Sequence, residues 1–510
     1  MRKLFEFIKK NYVIILLVLL LMFHVVNNVV YLKIDTRAPS WDEAWHKTIS
    51  LSYYNKIIGG VVSSSIEASK YPPLFHIFSI PLYFIFGTGE DVSNFTNTIF
   101  LAILIISVYL IGKRVYSRNA GLLAAFLVSM YPLVFGISRL YLIDLSVAAF
   151  VSLFFYLFIR FEDKMNWKNL LLLLFCVAVG VMLKQIFIVF IILPFIYILI
   201  KYLYYIKKRY NIGKLRIIMF LAGVIAVISL ISWYYLRNFS GFYLIGVITS
   251  NLSVGKFFIN LWKNILDLMN IQISFVYFLL FIFSFAFIKR TRKWLLFIAW
   301  IIFPLLFLSY THLTSEARYL MPIVPAIAVL SACAVFSIKN KKILAGLIIL
   351  LLAFSLVQYF DISYSQNIHS FKIGKISLYN NKVYLSSSAI QEDWQIDNIL
   401  GFIESDSQNK KAVVEVNADI QRFNQNVFAY FAYKYKYYNL AVFVSSQNPG
   451  DIDNYIITKT GNKGNTWRTK RIDSVDAYMM DNPQKFILIK KFILPDNSEA
   501  LIYKVIKNIK

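Results

Sequence analysis

Long apolar runs separated by short basic clusters fill the first 360 residues, and a more polar, alternating pattern follows them. Runs such as Val13–Val30 and Ile343–Phe360 approach the roughly 20 residues that a helix needs to cross the hydrocarbon of a bilayer. Further crossings are predicted over Phe95–Gly112, Gly121–Ser138, Leu145–Phe161, Leu170–Leu183, Phe187–Tyr205 and Ile217–Tyr235. An outer loop is expected over Arg237–Ile271; the next span then ends at the cluster Lys289–Lys293, another ends near Tyr310, a third covers Tyr319–Ile338, and the last ends near Phe360. The pattern thus predicts a polytopic α-helical membrane protein of about eleven spans. Pro72–Phe86 is short and opens with two prolines, which suits a helix lying in the interface within a first outer loop, 32–94.

With Met1–Lys10 inside, every later basic loop falls on one side: Lys113, Arg114 and Arg118; Lys207–Arg209 with Lys214 and Arg216; Lys289–Lys293; Lys339–Lys342. That bias marks cytoplasmic loops, so the N-terminus is expected in the cytoplasm and the tail outside, in a cell membrane. The opening run is long and has no small-residue cleavage site, which reads as an uncleaved first span rather than a signal peptide. Residues 361–510 are expected to form a soluble, extracytoplasmic mixed α/β domain behind a membrane domain of residues 1–360. Its strands are predicted at Lys382–Leu385, Ala412–Val416, Leu440–Val444 and Phe486–Ile493, and an amphipathic helix over Asn426–Tyr435. No internal repeat is visible.

Composition agrees: 58% of the residues are hydrophobic and 16% charged, more apolar surface than one soluble core can hide. The net charge of +26 would suit a nucleic-acid partner. Its distribution argues against one, because 34 basic and 12 acidic residues precede position 361 while the tail holds 19 and 15. Cys176 and Cys333 both lie in apolar runs, leaving the tail without a disulfide.

On this topology Glu6, Glu162 and Asp163 are the inner acids of the membrane part, and its other carboxylates are outer. The most informative outer segment is Pro39–Lys47, PSWDEAWHK. Ser40 followed by Glu43 is a capping box that starts a helix, with Asp42 in its first turn and His46 one turn later on the same face. The same pattern fits a well-capped surface helix, and Trp41 and Trp45 fit interfacial anchors. Lys70, Lys184, Arg237 and Arg318 all map to the outer end of a span or interfacial helix, where cations are disfavoured unless an anion meets them. A lipid-linked phosphate is one such anion; separately snorkelling side chains are the other reading. Asp42, Glu43, His46 and His76 also offer ligands for a divalent metal, whereas His24 and His312 receive no role.

Several segments, in order, resemble the GT-C superfamily of polyprenyl-phosphate-sugar glycosyltransferases, and are similar to its protein O-mannosyltransferase and lipid A aminoarabinose transferase group. They are Trp41–His46, YPPLFH at Tyr71–His76, GKRVYSRNAGLLAA at Gly112–Ala125, SRLYLIDLSV at Ser138–Val147, GVMLKQ at Gly180–Gln185, WYYLRN at Trp233–Asn238 and EARYLMPIVP at Glu316–Pro325. The resemblance implies an inverting transfer from a lipid-phosphate-linked sugar to a hydroxyl of a glycolipid, envelope glycan or protein, with Asp42 as base. It implies a second acidic position at Asp144 and carrier-phosphate contacts from Lys184 and Arg318. The basic residue that usually precedes the PP motif is Tyr71 here, with Lys70 one residue earlier. Trp45 stands where the aminoarabinose branch has an arginine. No general acid is needed, because a phosphomonoester leaves as a stable anion, and cations stabilise the charge growing on it. A transporter or flippase of a lipid-linked or anionic substrate is the alternative; such proteins place ionisable groups near the midplane, often within repeated halves.

Overall fold

The computed structural model describes residues 2–59, 71–208, 254–290, 293–311, 316–444, 454–464 and 466–506, with isolated residues between 223 and 232. The chain divides into two units. The first holds Met1–Tyr31, Ser63–Ser79 and Asn94–Ser388; the second holds Leu32–Val62, Ile80–Ser93 and Ala389–Lys510. Leu32–Val62 and Ile80–Ser93 therefore group with the tail, and residues 361–388 group with the helical part.

In chain order the helices are α1 (Arg2–Ile34), α2 (Trp41–Ile58), α3 (Leu74–Ile77), α4 (Ile80–Phe86), α5 (Phe95–Val115), α6 (Arg118–Met130) and α7 (Pro132–Ile137). Next come α8 (Asp144–Asp163), α9 (Trp167–Leu183), α10 (Phe187–Lys208), α11 (Val254–Asp267), α12 (Phe275–Ser284), α13 (Trp294–Tyr310), α14 (Val324–Phe336) and α15 (Lys341–Tyr364). The tail adds α16 (Ile396–Asp406), α17 (Gln425–Lys434) and α18 (Thr466–Asp481).

The first unit is a helical bundle around one large apolar core drawn mainly from α5, α6, α8, α9 and α14. Among the described residues five helices are long and apolar enough to cross a membrane, or six if the bent pair Lys256–Gln272 and Phe275–Lys289 counts as one. α9 and α13 are shorter apolar helices. The expected span Ile217–Tyr235 lies outside the described residues. The span expected at Gly121–Ser138 is instead two helices, α6 and α7. Pro132 excludes helical backbone from the residue before it, and Tyr131 is extended (φ −68°, ψ 133°). α5 and α6 touch backbone to backbone: a Cβ on Gly121 would sit 2.5 Å from the Tyr109 carbonyl oxygen, which only glycine avoids.

The outer loop expected up to Ile271 is also corrected, because α11 and a π turn over Leu268–Gln272 occupy its described part before a 117° bend into α12. At the C-terminal end of α8, Asp163 meets Arg114 (2.7 Å) and Lys293 (2.7 Å), and Glu162 meets Lys201 (2.7 Å) and Lys293 (2.8 Å). A hairpin of β1 (Ser370–Ile373) and β2 (Ile376–Asn380) follows α15.

The second unit is α/β. Its sheet has the order β6-β3-β7-β9-β8, from β3 (Ala412–Asn417), β6 (Leu440–Val444), β7 (Tyr455–Lys459), β8 (Phe486–Ile493) and β9 (Glu499–Val505). β3 runs parallel to β6 and β7, whereas β9 is antiparallel to β7 and β8. A two-residue ladder pairs β4 (Asp419–Ile420) with β5 (Phe423–Asn424). Ala38 and Ala44 from the first outer loop lie in the core that this sheet shares with α16 and α17. The strand expected at Lys382–Leu385 does not form. Leu385 takes φ +61°, which turns the chain and leaves one isolated bridge, Val383 to Ser386.

Candidate active site

Within the first unit, Asp144 opens α8 and is buried among cations. Lys184 Nζ lies 2.8 Å from its Oδ1 and Arg318 NH1 lies 3.5 Å from its Oδ2. Lys184 caps the C-terminus of α9 and is held by the residues around it. Its amide donates to the Gly180 carbonyl (3.2 Å), and a Cβ on Gly180 would meet the Phe187 ring at 2.3 Å. Phe187 thereby stacks the start of α10 against α9 at the turn that carries Lys184. Arg318 stands in the 3-10 turn Ala317–Ile323, where its Nε is 2.6 Å from Glu316 Oε2, close enough for electrostatic pairing without hydrogen-bond alignment.

The Tyr319 ring serves both cations, with Lys184 Nζ 4.7 Å and the Arg318 guanidinium carbon 5.6 Å from its centroid. Tyr71 offers a second face to Lys184 at 5.9 Å. The Tyr384 hydroxyl donates to Glu316 at 3.0 Å. A lone lysine in such surroundings would cost about 3 kcal/mol on insertion scales, which explains its pairing. Asp144, Lys184, Arg318 and Tyr71 are thus brought together, at the end of α8 opposite the Glu162–Asp163 pair. Lys70 and Arg237 lie outside the described residues.

Within the second unit, α2 begins as its capping box dictates: the Ser40 amide donates to Glu43 Oε2 at 3.3 Å. Asp42 sits in the first turn and is half-buried, while Glu43 and His46 are buried. The tail pins this turn. Trp41 Nε1 donates to Asp419 Oδ1 (2.8 Å), Asn426 Nδ2 donates to the Trp41 carbonyl (3.2 Å), and Arg422 donates to the Ala38 carbonyl. Below it, buried Lys47 is 3.4 Å from Glu43 Oε1 and donates to the Glu90 carbonyl at 3.0 Å. Burial pushes the neighbouring Asp91 carboxyl above its ordinary range; Lys47 opposes that push, and Glu90, Glu43 and Asp35 add to it. Among the described residues no three His, Cys, Asp or Glu side chains meet in a way that would hold a metal ion. His76 is buried in α3 of the first unit.

Sequence reasoning assigned nothing to Tyr319, to Asp419 or to Arg139. The Arg139 guanidinium is fully buried over the rings of Tyr31 (4.3 Å), Tyr359 (5.0 Å) and Phe135 (5.2 Å). Its signal was a cation two residues before the Tyr141–Leu142 stretch, within a motif already singled out.

The sequence model of the dolichyl-phosphate-mannose-protein mannosyltransferase family matches residues 70–233. The structure is similar to ArnT from Cupriavidus metallidurans bound to undecaprenyl phosphate, with TM-score 0.58 and 13% identity over 96% of this chain and 98% of that one. The chain shares the fold of that membrane protein. A similar fold is seen in the archaeal oligosaccharyltransferase AglB from Archaeoglobus fulgidus, in complex with an inhibitory peptide and a dolichol-phosphate. That likeness has TM-score 0.51 and 14% identity, covering 97% of this chain and 74% of that one. No curated protein matches the chain at a significant level.

Proposed function

We propose that the protein is an inverting glycosyltransferase that moves a sugar from a polyprenyl-phosphate carrier to an acceptor hydroxyl on the non-cytoplasmic membrane face. The observation that carries this reading is the likeness, over nearly the whole chain, to a GT-C protein holding undecaprenyl phosphate. A dolichol-phosphate in the second solved neighbour adds to it.

In the reaction, the acceptor oxygen attacks the anomeric carbon as the bond from that carbon to the carrier phosphate oxygen breaks. The bonding pair stays on the phosphate, and Asp42 receives the acceptor's proton. Lys184 and Arg318, gathered around Asp144, face the growing phosphate charge. Tyr71 and the Tyr319 ring hold the two cations in place, and Lys70 and Arg237 are further phosphate contacts. Glu43 and His46 orient the helix turn that carries Asp42. The N-terminus lies in the cytoplasm and the tail outside, with the acceptor a glycolipid, an envelope glycan or a protein hydroxyl.

The test is Asp42→Asn in membranes loaded with lipid-linked sugar. Transfer is expected to vanish while expression and carrier binding persist; full turnover would remove Asp42 from the mechanism. Mass spectrometry of lipid-linked sugars in a deletion strain then identifies the donor, as the one that accumulates.

A further inference from the structure

Between α11 and the β1–β2 hairpin, inside the first unit, lies a cavity of about 690 Å³, a size that suits a small-molecule ligand. Lys263, Lys372, Lys375 and Lys382 line it with Trp262 and Tyr384, and its one acidic wall residue is Asp267. Among the described residues Lys372, Lys375 and Lys382 are exposed and join no ion pair. The hairpin is fixed against the π turn: Asn270 Nδ2 donates to the Lys375 carbonyl and the Ser377 amide donates to Asn270 Oδ1, both at 2.9 Å. The lysines are therefore presented by ordered backbone rather than by a loose tip.

The flanks of the cavity are apolar on the outside. α11 turns its asparagines inward, where Asn264 is buried and donates to Ser309 Oγ at 2.7 Å, and Asn260 donates to the Ser309 carbonyl at 3.0 Å. Its outward side shows Phe258, Ile259 and Trp262, and β1 shows Phe371 and Ile373. A helix that hides asparagines and displays phenylalanine matches hydrocarbon rather than water. Positive charge in a recess, bordered by surface that suits acyl chains, complements an anionic amphiphile.

We propose that this cavity seats the anionic head group of a membrane lipid, apart from the carrier-phosphate residues Lys184 and Arg318. The lysines hold the head group's phosphate, and the outward faces of α11 and β1 border its chains. Tyr384, on the cavity wall, bonds Glu316, the partner of Arg318, so an occupant here is one hydrogen-bonded step from the charge cluster. The proposal concerns binding alone and does not depend on the transfer reaction.

Native mass spectrometry of the full-length protein, released from nanodiscs of phosphatidylcholine and phosphatidylglycerol in equal amounts, tests it. The unaltered protein is expected to retain phosphatidylglycerol preferentially. The combined variant K372Q/K375Q/K382Q should lose that preference by roughly fivefold per lysine, and K372R/K375R/K382R should keep it. Equal retention of both lipids, an unchanged preference in the glutamine variant, or its loss in the arginine variant would overturn the proposal. Displacement of the lipid by inorganic phosphate would overturn it too, marking a free-anion site; indifference to inorganic phosphate supports the lipid.

Discussion

The indole nitrogen of Trp41 donates a 2.8 Å hydrogen bond to the Asp419 carboxylate, 378 residues away along the chain. It fastens the helix turn that carries Asp42 to the α/β domain, next to Ala38 and Ala44 in that domain's core. On the proposed reaction, the domain would serve to hold the acidic turn still.

Asp419→Ala is therefore expected to lower turnover about tenfold with the donor KM held, because a hydrogen bond to a charged group is worth about 1.5–3 kcal/mol. Asp419→Asn keeps an accepting oxygen and should recover most of the loss. Turnover per folded molecule separates this effect from simple destabilisation, which would leave kcat intact.

The Asp144–Lys184 pair is buried, so removing one partner strands the other. Lys184→Met should cost about 3–5 kcal/mol in unfolding experiments in detergent and raise the donor KM. Lys184→Met combined with Asp144→Leu should cost less than the two single changes together, a coupling that a double-mutant cycle measures.

Gly180→Ala should destabilise by about 1–3 kcal/mol, since the new methyl meets the Phe187 ring. Adding Phe187→Leu, which opens space, is expected to restore both stability and donor binding. Failure of that rescue would detach the α9–α10 contact from the presentation of Lys184.

Asp91 supplies a pH test. Its carboxyl is raised by burial above the ordinary 3.8, so the folded state holds this proton more tightly than the unfolded state. Below 3.8 both states are protonated and Asp91 costs nothing; as pH rises from there through the raised folded value, stability is lost. Asp91→Asn should therefore stabilise at neutral pH and lose its advantage in acid. Hydrogen exchange of α2 against pH reads the difference.

Sidedness is tested with impermeant thiol reagents on intact cells. Ile58→Cys should label from outside and Lys164→Cys should not. The native Cys176 and Cys333 are buried and give a low background.

Much of the helical part was legible in the sequence because lipid-crossing length and basic loops are local signals. α5, α8, α9 and α10 begin within three residues of their expected starts. Pro132 was equally visible, yet the apolar run through it outweighed the break it imposes. α11 was missed because its apolar positions face outward and its asparagines inward, the reverse of the pattern sought in a polar loop. In the tail, β3, β6 and β8 and the helix α17 were legible from β-branched runs and helical periodicity. β7 and β9 were not, since YIITK and EALIYKV become strands through pairing with each other. The grouping of Lys184 with Arg318 on one side came from topology, but their meeting at Asp144 and the Trp41–Asp419 bond are long-range contacts that no local pattern encodes.

The cations at Asp144 arrive with an internal counter-ion already in place. On the proposed reaction, an incoming phosphate shares them with that carboxylate and is gripped more weakly than bare lysine and arginine would grip it. On that reading, once the sugar has gone the same carboxylate reclaims its partners and helps evict the spent carrier. An arrangement that looks like self-neutralisation would then keep product from clogging the site.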